Sequence, residues 1–163
     1  MADQALPVGL GEIKISSSPG DVLVAYGLGS CVGVGVFDPV SKVAGLLHAV
    51  LPQSLNGTEQ VPGKFVTTGI PKLLEEMEKA GAMRSRLQVR IAGGANMLSA
   101  PGAKQAFNIG ERNVQQTRIV LDGMRLRLLA EDVGGTVGRT VRLYVTDGRM
   151  TVKALGNQEK VLA

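Results

Sequence analysis

The sequence predicts an α+β fold with a mixed or antiparallel sheet core, and three observations carry that prediction. Eight strand-like segments and two helical ones occur without strict alternation. Glycine is abundant, 22 residues against 7 prolines, and falls inside apolar segments as well as at turns. The chain has 163 residues with no internal repeat and no long linker, which suits one domain able to bury a core without disulfides or metals. The strand-like segments span residues 13–15, 21–26, 32–37, 43–51, 87–92, 126–130, 141–146 and 150–155. Asp147-Gly148 between the last two is a two-residue hairpin signal. In the first helix Ile70, Leu73, Leu74, Met77 and Ala80 lie at helical spacing, Gly81 stands as its C′ residue, and the regular part is expected to start close to Pro71. The second begins at Asn108, an N-cap with Glu111 three residues on, and runs to about Asp122. Residues 16–20 and 52–63 read as loops.

Composition narrows the function classes. With 44% hydrophobic and 20% charged residues the chain is not disordered as a whole. The net charge of +4 is scattered and aromatics make up 3%, so nucleic acid has no footprint and is not expected as a partner. One Cys and one His leave too few ligands for a closed structural zinc site, and neither metal nor cofactor is expected. The first eleven residues lack a basic segment followed by an apolar one, and no apolar run approaches a membrane span. A cytoplasmic protein is the expectation, and a lone Cys gives no argument for an oxidising compartment.

The chemistry concentrates between residues 26 and 52. From Cys31 the pattern has period two, with Val32, Val34 and Val36 on one face and Cys31, Gly33 and Gly35 on the other. The thiol face is therefore read as bare, open to a substrate in a flat or shallow site. If Asp38 to Ser41 form the next turn, Cys31 stands directly opposite His48, and the only thiol meets the only imidazole. A register slip by one residue would separate them. An imidazole can take the thiol proton, and the resulting thiolate should react with iodoacetamide at lower pH than a free thiol. Backbone N–H groups of Ser30 and Cys31, on the glycine-rich turn 27–30, are candidates to hold a developing oxyanion. The plainer alternative is a small buried cysteine and a hydrogen-bonded core histidine. Gly29-Ser30-Cys31-Val32-Gly33 mimics a nucleophile elbow, but a strand follows where such an elbow needs a helix.

Gly27-Leu28-Gly29-Ser30-Cys31, Asp38-Pro39 and Gly45-Leu46-Leu47-His48-Ala49-Val50-Leu51-Pro52 resemble the CheD family of chemoreceptor glutamine deamidases. Pro62-Gly63-Lys64-Phe65, residues 91–97, Asn108-Ile109-Gly110-Glu111-Arg112-Asn113 and residues 130–135 extend the resemblance over nearly the whole chain. It implies a β-sandwich-like core flanked by helices, as in cytotoxin deamidases. It also implies a cysteine-dependent protein-glutamine glutaminase acting on chemoreceptor cytoplasmic domains, and a CheC-like phosphatase as a further partner. The family's nucleophile falls on Cys31 and its histidine on His48. Its third member, a threonine, falls on Ala25, which cannot hydrogen-bond an imidazole; Tyr26, Ser30 and Asn96 are the candidates to orient His48 instead. That departure motivates the alternative of a non-catalytic adaptor, and a small-substrate amidase or esterase is a third reading.

Other motifs have structural readings. Gly93-Gly94-Ala95 matches no nucleotide-binding pattern. Gly134-Gly135-Thr136 reads as a turn, Glu131 and Asp132 as strand-end residues rather than an acid–base pair, and Arg112 as part of a solvated helix face. Met77 and Met83 read as core or helix-end packing.

Overall fold

Alternation along 32–38 gives a strand whose two faces meet different layers. In the computed structural model, which describes residues 3–54, 61–97 and 108–163, this strand, β4 (Val32–Asp38), is the middle of a five-stranded sheet. Its order is β2 (Ile13–Ser16), β5 (Val43–Ala49), β4, β6 (Gln88–Gly93) and β7 (Leu128–Val133). The second sheet runs β1 (Gln4–Pro7), β3 (Asp21–Leu28), β8 (Arg139–Tyr144), β9 (Met150–Ala154) and β10 (Lys160–Val161). Among the described strands, β1–β3 and β6–β7 pair in parallel. The fold is α+β, and both sheets are mixed.

The valines of β4 face the helices. Val32, Val34, Val36, Val43 and Leu47 pack with Val66, Ile70, Leu73, Leu74 and Met77 of α1 (Val66–Lys79) and with Val114 and Leu121 of α2 (Ile109–Gly123). The opposite face joins the second sheet: Phe37, Ala44, Leu46 and Ala92 meet Leu23, Ala25, Val141, Leu143, Met150 and Val152. The order of layers is sheet, sheet, helices.

Helix α2 follows its capping signal, with the Asn108 side chain accepting from the Glu111 N–H at 3.0 Å. Helix α1 starts at Val66 and holds Pro71 as its sixth residue, earlier than the sequence suggested. An interior proline costs about 3 kcal/mol. Five large apolar side chains buried at roughly 1.5–3 kcal/mol each outweigh it, and Pro71 itself faces solvent. The helix ends with Gly81 at φ 109°, in the C′ position expected.

The hairpin after β8 is wider than Asp147-Gly148 implied: Leu143 pairs with Met150, and Gly148 N–H donates to the Tyr144 carbonyl at 2.8 Å. Strands β1 and β10 had no sequence signal. The loop expected over 52–63 lies partly outside the described residues. No helix among the described residues is long and apolar enough to cross a membrane.

Candidate active site

The turn between β4 and β5 sets how Cys31 and His48 meet. Asp38 does not enter the turn but pairs with Val43 as the last residue of β4. Its fully buried carboxylate accepts from the N–H groups of Val40 (2.9 Å), Ser41 (3.3 Å) and Met83 (2.9 Å) and from the Arg86 guanidinium at 2.7–3.1 Å. Lys42, at φ 60°, then closes the turn by donating its N–H to the Asp38 carbonyl at 2.9 Å. The four-residue loop is therefore 39–42, one residue later than expected.

That shift moves the pairing by two. Gly33, not Cys31, stands opposite His48. A two-residue shift preserves the face, so Cys31 and His48 remain on the inter-sheet side as diagonal neighbours, roughly 7–8 Å apart at their backbones. Both are buried, Cys31 8% and His48 3% exposed.

The bare-face reading is overturned. A Cβ on Gly33 would touch Leu28 Cδ1 at 3.1 Å and Val141 Cγ2 at 3.4 Å, and one on Gly35 would touch Met150 Sδ at 2.8 Å. These glycines admit the second sheet, not a ligand. The thiol sits just before β4, next to Gly29 and Ser30, which are half-buried.

His48 is oriented by backbone. Its Nδ1 lies 2.9 Å from the Val8 carbonyl. A carbonyl only accepts, so Nδ1 carries the proton and Nε2 of the neutral ring keeps a free lone pair. Nε2 is buried and has no hydrogen-bond partner among the described residues. Val8 belongs to the connector from β1 to β2, which crosses from one sheet to the other. The same connector holds the His48 backbone: Gly11 N–H donates to the His48 carbonyl at 2.8 Å, and His48 N–H to the Glu12 carbonyl at 3.1 Å.

None of the expected orienters fills this role. Tyr26 is 53% exposed. Ser30 is engaged through its carbonyl by Asn113. Asn96 lines a cavity of about 270 Å³ beside α2, with Asn108, Glu111 and Arg118. Ala25 sits fully buried in the inter-sheet apolar cluster. Sequence reasoning missed Val8 because a main-chain acceptor has no residue signature.

Burial pushes the Cys31 thiol up from its ordinary value, and its own backbone N–H pulls it partly back. Burial thus disfavours the thiolate in the resting site. Iodoacetamide labelling of Cys31 should rise with pH around a midpoint above that of an exposed thiol; a midpoint below it would contradict this account.

The turn before Cys31 is tightly held. Ala95 and Gly94 N–H groups donate to the Gly29 and Cys31 carbonyls, both at 2.8 Å. Gly93 and Gly94 are required here: both have positive φ, and a Cβ at Gly93 would strike the Cys31 carbonyl oxygen. The 134–135 turn is bound in the same way, with Gly134 N–H donating to the Gly93 carbonyl at 3.0 Å and Asn96 N–H to the Gly135 carbonyl at 2.9 Å. Arg139 braces it, donating to the Gly93 and Gly134 carbonyls and to Asp132.

Glu131 pairs with Arg118, while Asp132 is shared by Arg139 and Lys160. Burial would raise Asp132, but Lys160 and Arg139 more than offset it and keep the carboxylate ionised. These two acids are strand residues held by cations. Arg112 is exposed on α2, Met77 is core, and Met83 lies half-exposed beyond the end of α1.

The family model described as CheD chemotactic sensory transduction matches residues 50–154. A probable chemoreceptor glutamine deamidase CheD of Symbiobacterium thermophilum is 45% identical over 99% of this chain and 100% of its own length. The chain belongs to the CheD family. Further CheD relatives include the chemoreceptor glutamine deamidase of Thermotoga maritima, 41% identical over 94% of each chain. A probable one of Pyrococcus abyssi is 42% identical over 96% of this chain and 97% of its own. The CheD model match begins past His48, whereas these relatives span the segment that holds both Cys31 and His48.

Proposed function

We propose that this chain hydrolyses the side-chain amide of selected glutamines in chemoreceptor cytoplasmic domains, yielding glutamate and ammonia through a Cys31 thioester. The observation that carries the reading is the His48 ring. Its Nδ1 is committed to the Val8 carbonyl, and its buried Nε2 lone pair lies on the same sheet face as the only thiol. The names of the relatives supply the substrate class.

As the Cys31 sulfur attacks the amide carbon, the thiol proton passes to His48 Nε2. The two groups are not hydrogen-bonded in the resting site, and the contact closes when substrate binds. The oxyanion is held by the N–H groups of Ser30 and Cys31. The imidazolium gives its proton to the departing amine, the carbon–nitrogen bond breaks, and ammonia leaves a thioester. His48 then takes a proton from water, hydroxide adds to the thioester, and the tetrahedral adduct expels sulfur to give glutamate. The thiolate recovers its proton from His48. The Val8 carbonyl stabilises the imidazolium by keeping its bond to Nδ1–H throughout, the part a threonine is expected to play in the family.

This reading sets the protein in the cytoplasm, with the receptor as substrate and a CheC-like phosphatase as a second partner. Incubation with a receptor cytoplasmic fragment should convert receptor glutamines while leaving free glutamine intact. Binding to receptor or phosphatase without conversion would instead make the chain an adaptor. Hydrolysis of small amides or esters in place of receptor glutamine would make it a small-substrate enzyme.

A further inference from the structure

Asn113 lies on the buried face of α2, 0% exposed, beside Val114, Thr117 and Leu121. An amide on the apolar side of a helix costs free energy unless its hydrogen bonds are made. Its Nδ2 donates both protons, to the Ser30 carbonyl at 2.8 Å and the Val50 carbonyl at 2.9 Å. Two carbonyl partners fix the amide orientation, since only the NH2 group can donate to both. Its Oδ1 is buried without a partner among the described residues. The side chain is thus held solely through its donors.

The two acceptors stand across from each other. Continuing the Gly33–His48 pairing by two residues sets Cys31 opposite Val50. One amide therefore joins the residue before the thiol to the strand end just beyond the imidazole.

The Ser30–Cys31 peptide is trans, so its C=O and N–H point in opposite directions. With the Ser30 carbonyl gripped from α2, the Cys31 N–H must point away from α2. It belongs to the residue that carries the sulfur, so this donor lies beside the thiol. The carbonyls of Gly29, Ser30 and Cys31 are all anchored, by Ala95, Asn113 and Gly94 respectively. The Ser30 and Cys31 N–H groups, by contrast, have no other acceptor among the described residues. Of the three anchors, the Asn113 amide alone is a side chain, and it alone sets the peptide that carries the Cys31 N–H.

We infer that Asn113 is a positioning residue: by holding the Ser30 carbonyl it aims the Cys31 N–H at the oxyanion formed next to the sulfur. The inference rests on the amidohydrolase reading of the site. It makes Asn113 matter for stabilising the tetrahedral intermediate and not for the reactivity of the thiolate once formed. Those two properties can be measured separately. Iodoacetamide alkylation forms a sulfur–carbon bond and expels iodide with no oxyanion, whereas amide hydrolysis passes through one.

The experiment compares wild type, Asn113→Ala and Asn113→Ser on a receptor cytoplasmic fragment and on iodoacetamide, at a temperature where near-ultraviolet circular dichroism shows all three folded. Asn113→Ala should lower kcat about 10²-fold, the scale of one lost oxyanion donor, with KM within threefold. Its alkylation rate at high pH, where the thiol is fully ionised, should match the wild type within twofold. Asn113→Ser, which keeps a shorter donor, should fall between. Retention of kcat within threefold in Asn113→Ala overturns the inference, and so does a parallel loss of turnover and alkylation in both variants, which marks mere loosening of the core. Wild-type turnover is scored first: its absence defeats the amidohydrolase reading itself, a result distinct from wild-type-like turnover in the variants.

Discussion

The two ends of the β4–β5 hairpin treat their buried ionisable side chains, Asp38 and His48, in opposite ways. At the turn end the Asp38 carboxylate is fully buried, and three backbone N–H groups and a guanidinium saturate it. At the open end, about 17 Å away at His48 and about 24 Å at Cys31 along strands rising about 3.4 Å per residue, polar groups are left over. His48 Nε2 and Asn113 Oδ1 lack partners, and the Ser30 and Cys31 N–H groups face no outside acceptor among the described residues. A buried unsatisfied group costs roughly 1–3 kcal/mol; among the described residues the turn end leaves one such side-chain atom, Ser41 Oγ, whereas the open end leaves the imidazole Nε2 and the Asn113 Oδ1 beside the thiol. The turn end fixes register; in the proposed reaction the open end's free donors and lone pair meet the substrate.

That contrast can be broken at either end. The largest effect is expected at His48: His48→Gln should cut receptor deamidation roughly 10²–10⁴-fold, the range for removing a general base. It should leave the melting transition nearly unchanged. A variant that keeps wild-type turnover would show that Nε2 is an incidental vacancy.

At the turn end the effect should fall on stability. Asp38→Asn removes charge from a carboxylate with six donor contacts and should cost roughly 1–3 kcal/mol, read by denaturant unfolding. Turnover per folded molecule should stay within a few-fold. The Arg86 guanidinium beside Asp38, helped by the surrounding N–H groups and opposed by burial, holds its carboxyl well below the usual range. Its folded pKa lies below the unfolded value of about 3.9. Its stabilisation is therefore complete above about pH 4 and is lost as pH falls through the folded value. Acid unfolding of Asp38→Asn should lack that component, and an identical acid profile would refute the assignment.

The smallest effect is expected at Ala25. Because the Val8 carbonyl already holds Nδ1, Ala25→Thr should change turnover by less than threefold. A hydroxyl placed among apolar neighbours should cost about 1 kcal/mol. A tenfold gain in turnover would instead show that the backbone carbonyl orients His48 poorly.

Much of this hairpin was legible in the sequence. Strict alternation gave β4 its faces, and Cys31 and His48 share a face for the reason the pattern suggested. Their direct opposition failed because Lys42 takes a left-handed conformation that no residue type there announces. The meaning of Gly33 and Gly35 also failed to show. A missing side chain reads the same whether a substrate or a second sheet fills the space, and here Leu28, Val141, Leu143 and Met150 do. Strand β1 pairs only with β3, through contacts that local pattern does not encode. The Val8 carbonyl is 40 residues from His48 and the Asn113 amide 83 from Ser30. For Asn113 a signal did exist, an amide on the apolar face of a helix that the Asn108 cap had already located.

The most direct test is mass spectrometry of a receptor cytoplasmic fragment after incubation with wild type and with Cys31→Ala. The account predicts glutamine-to-glutamate conversion with matching ammonia release by the wild type, and none above background with Cys31→Ala. Conversion by Cys31→Ala at a comparable rate would contradict it, because the reaction would then proceed without the only thiol in the chain.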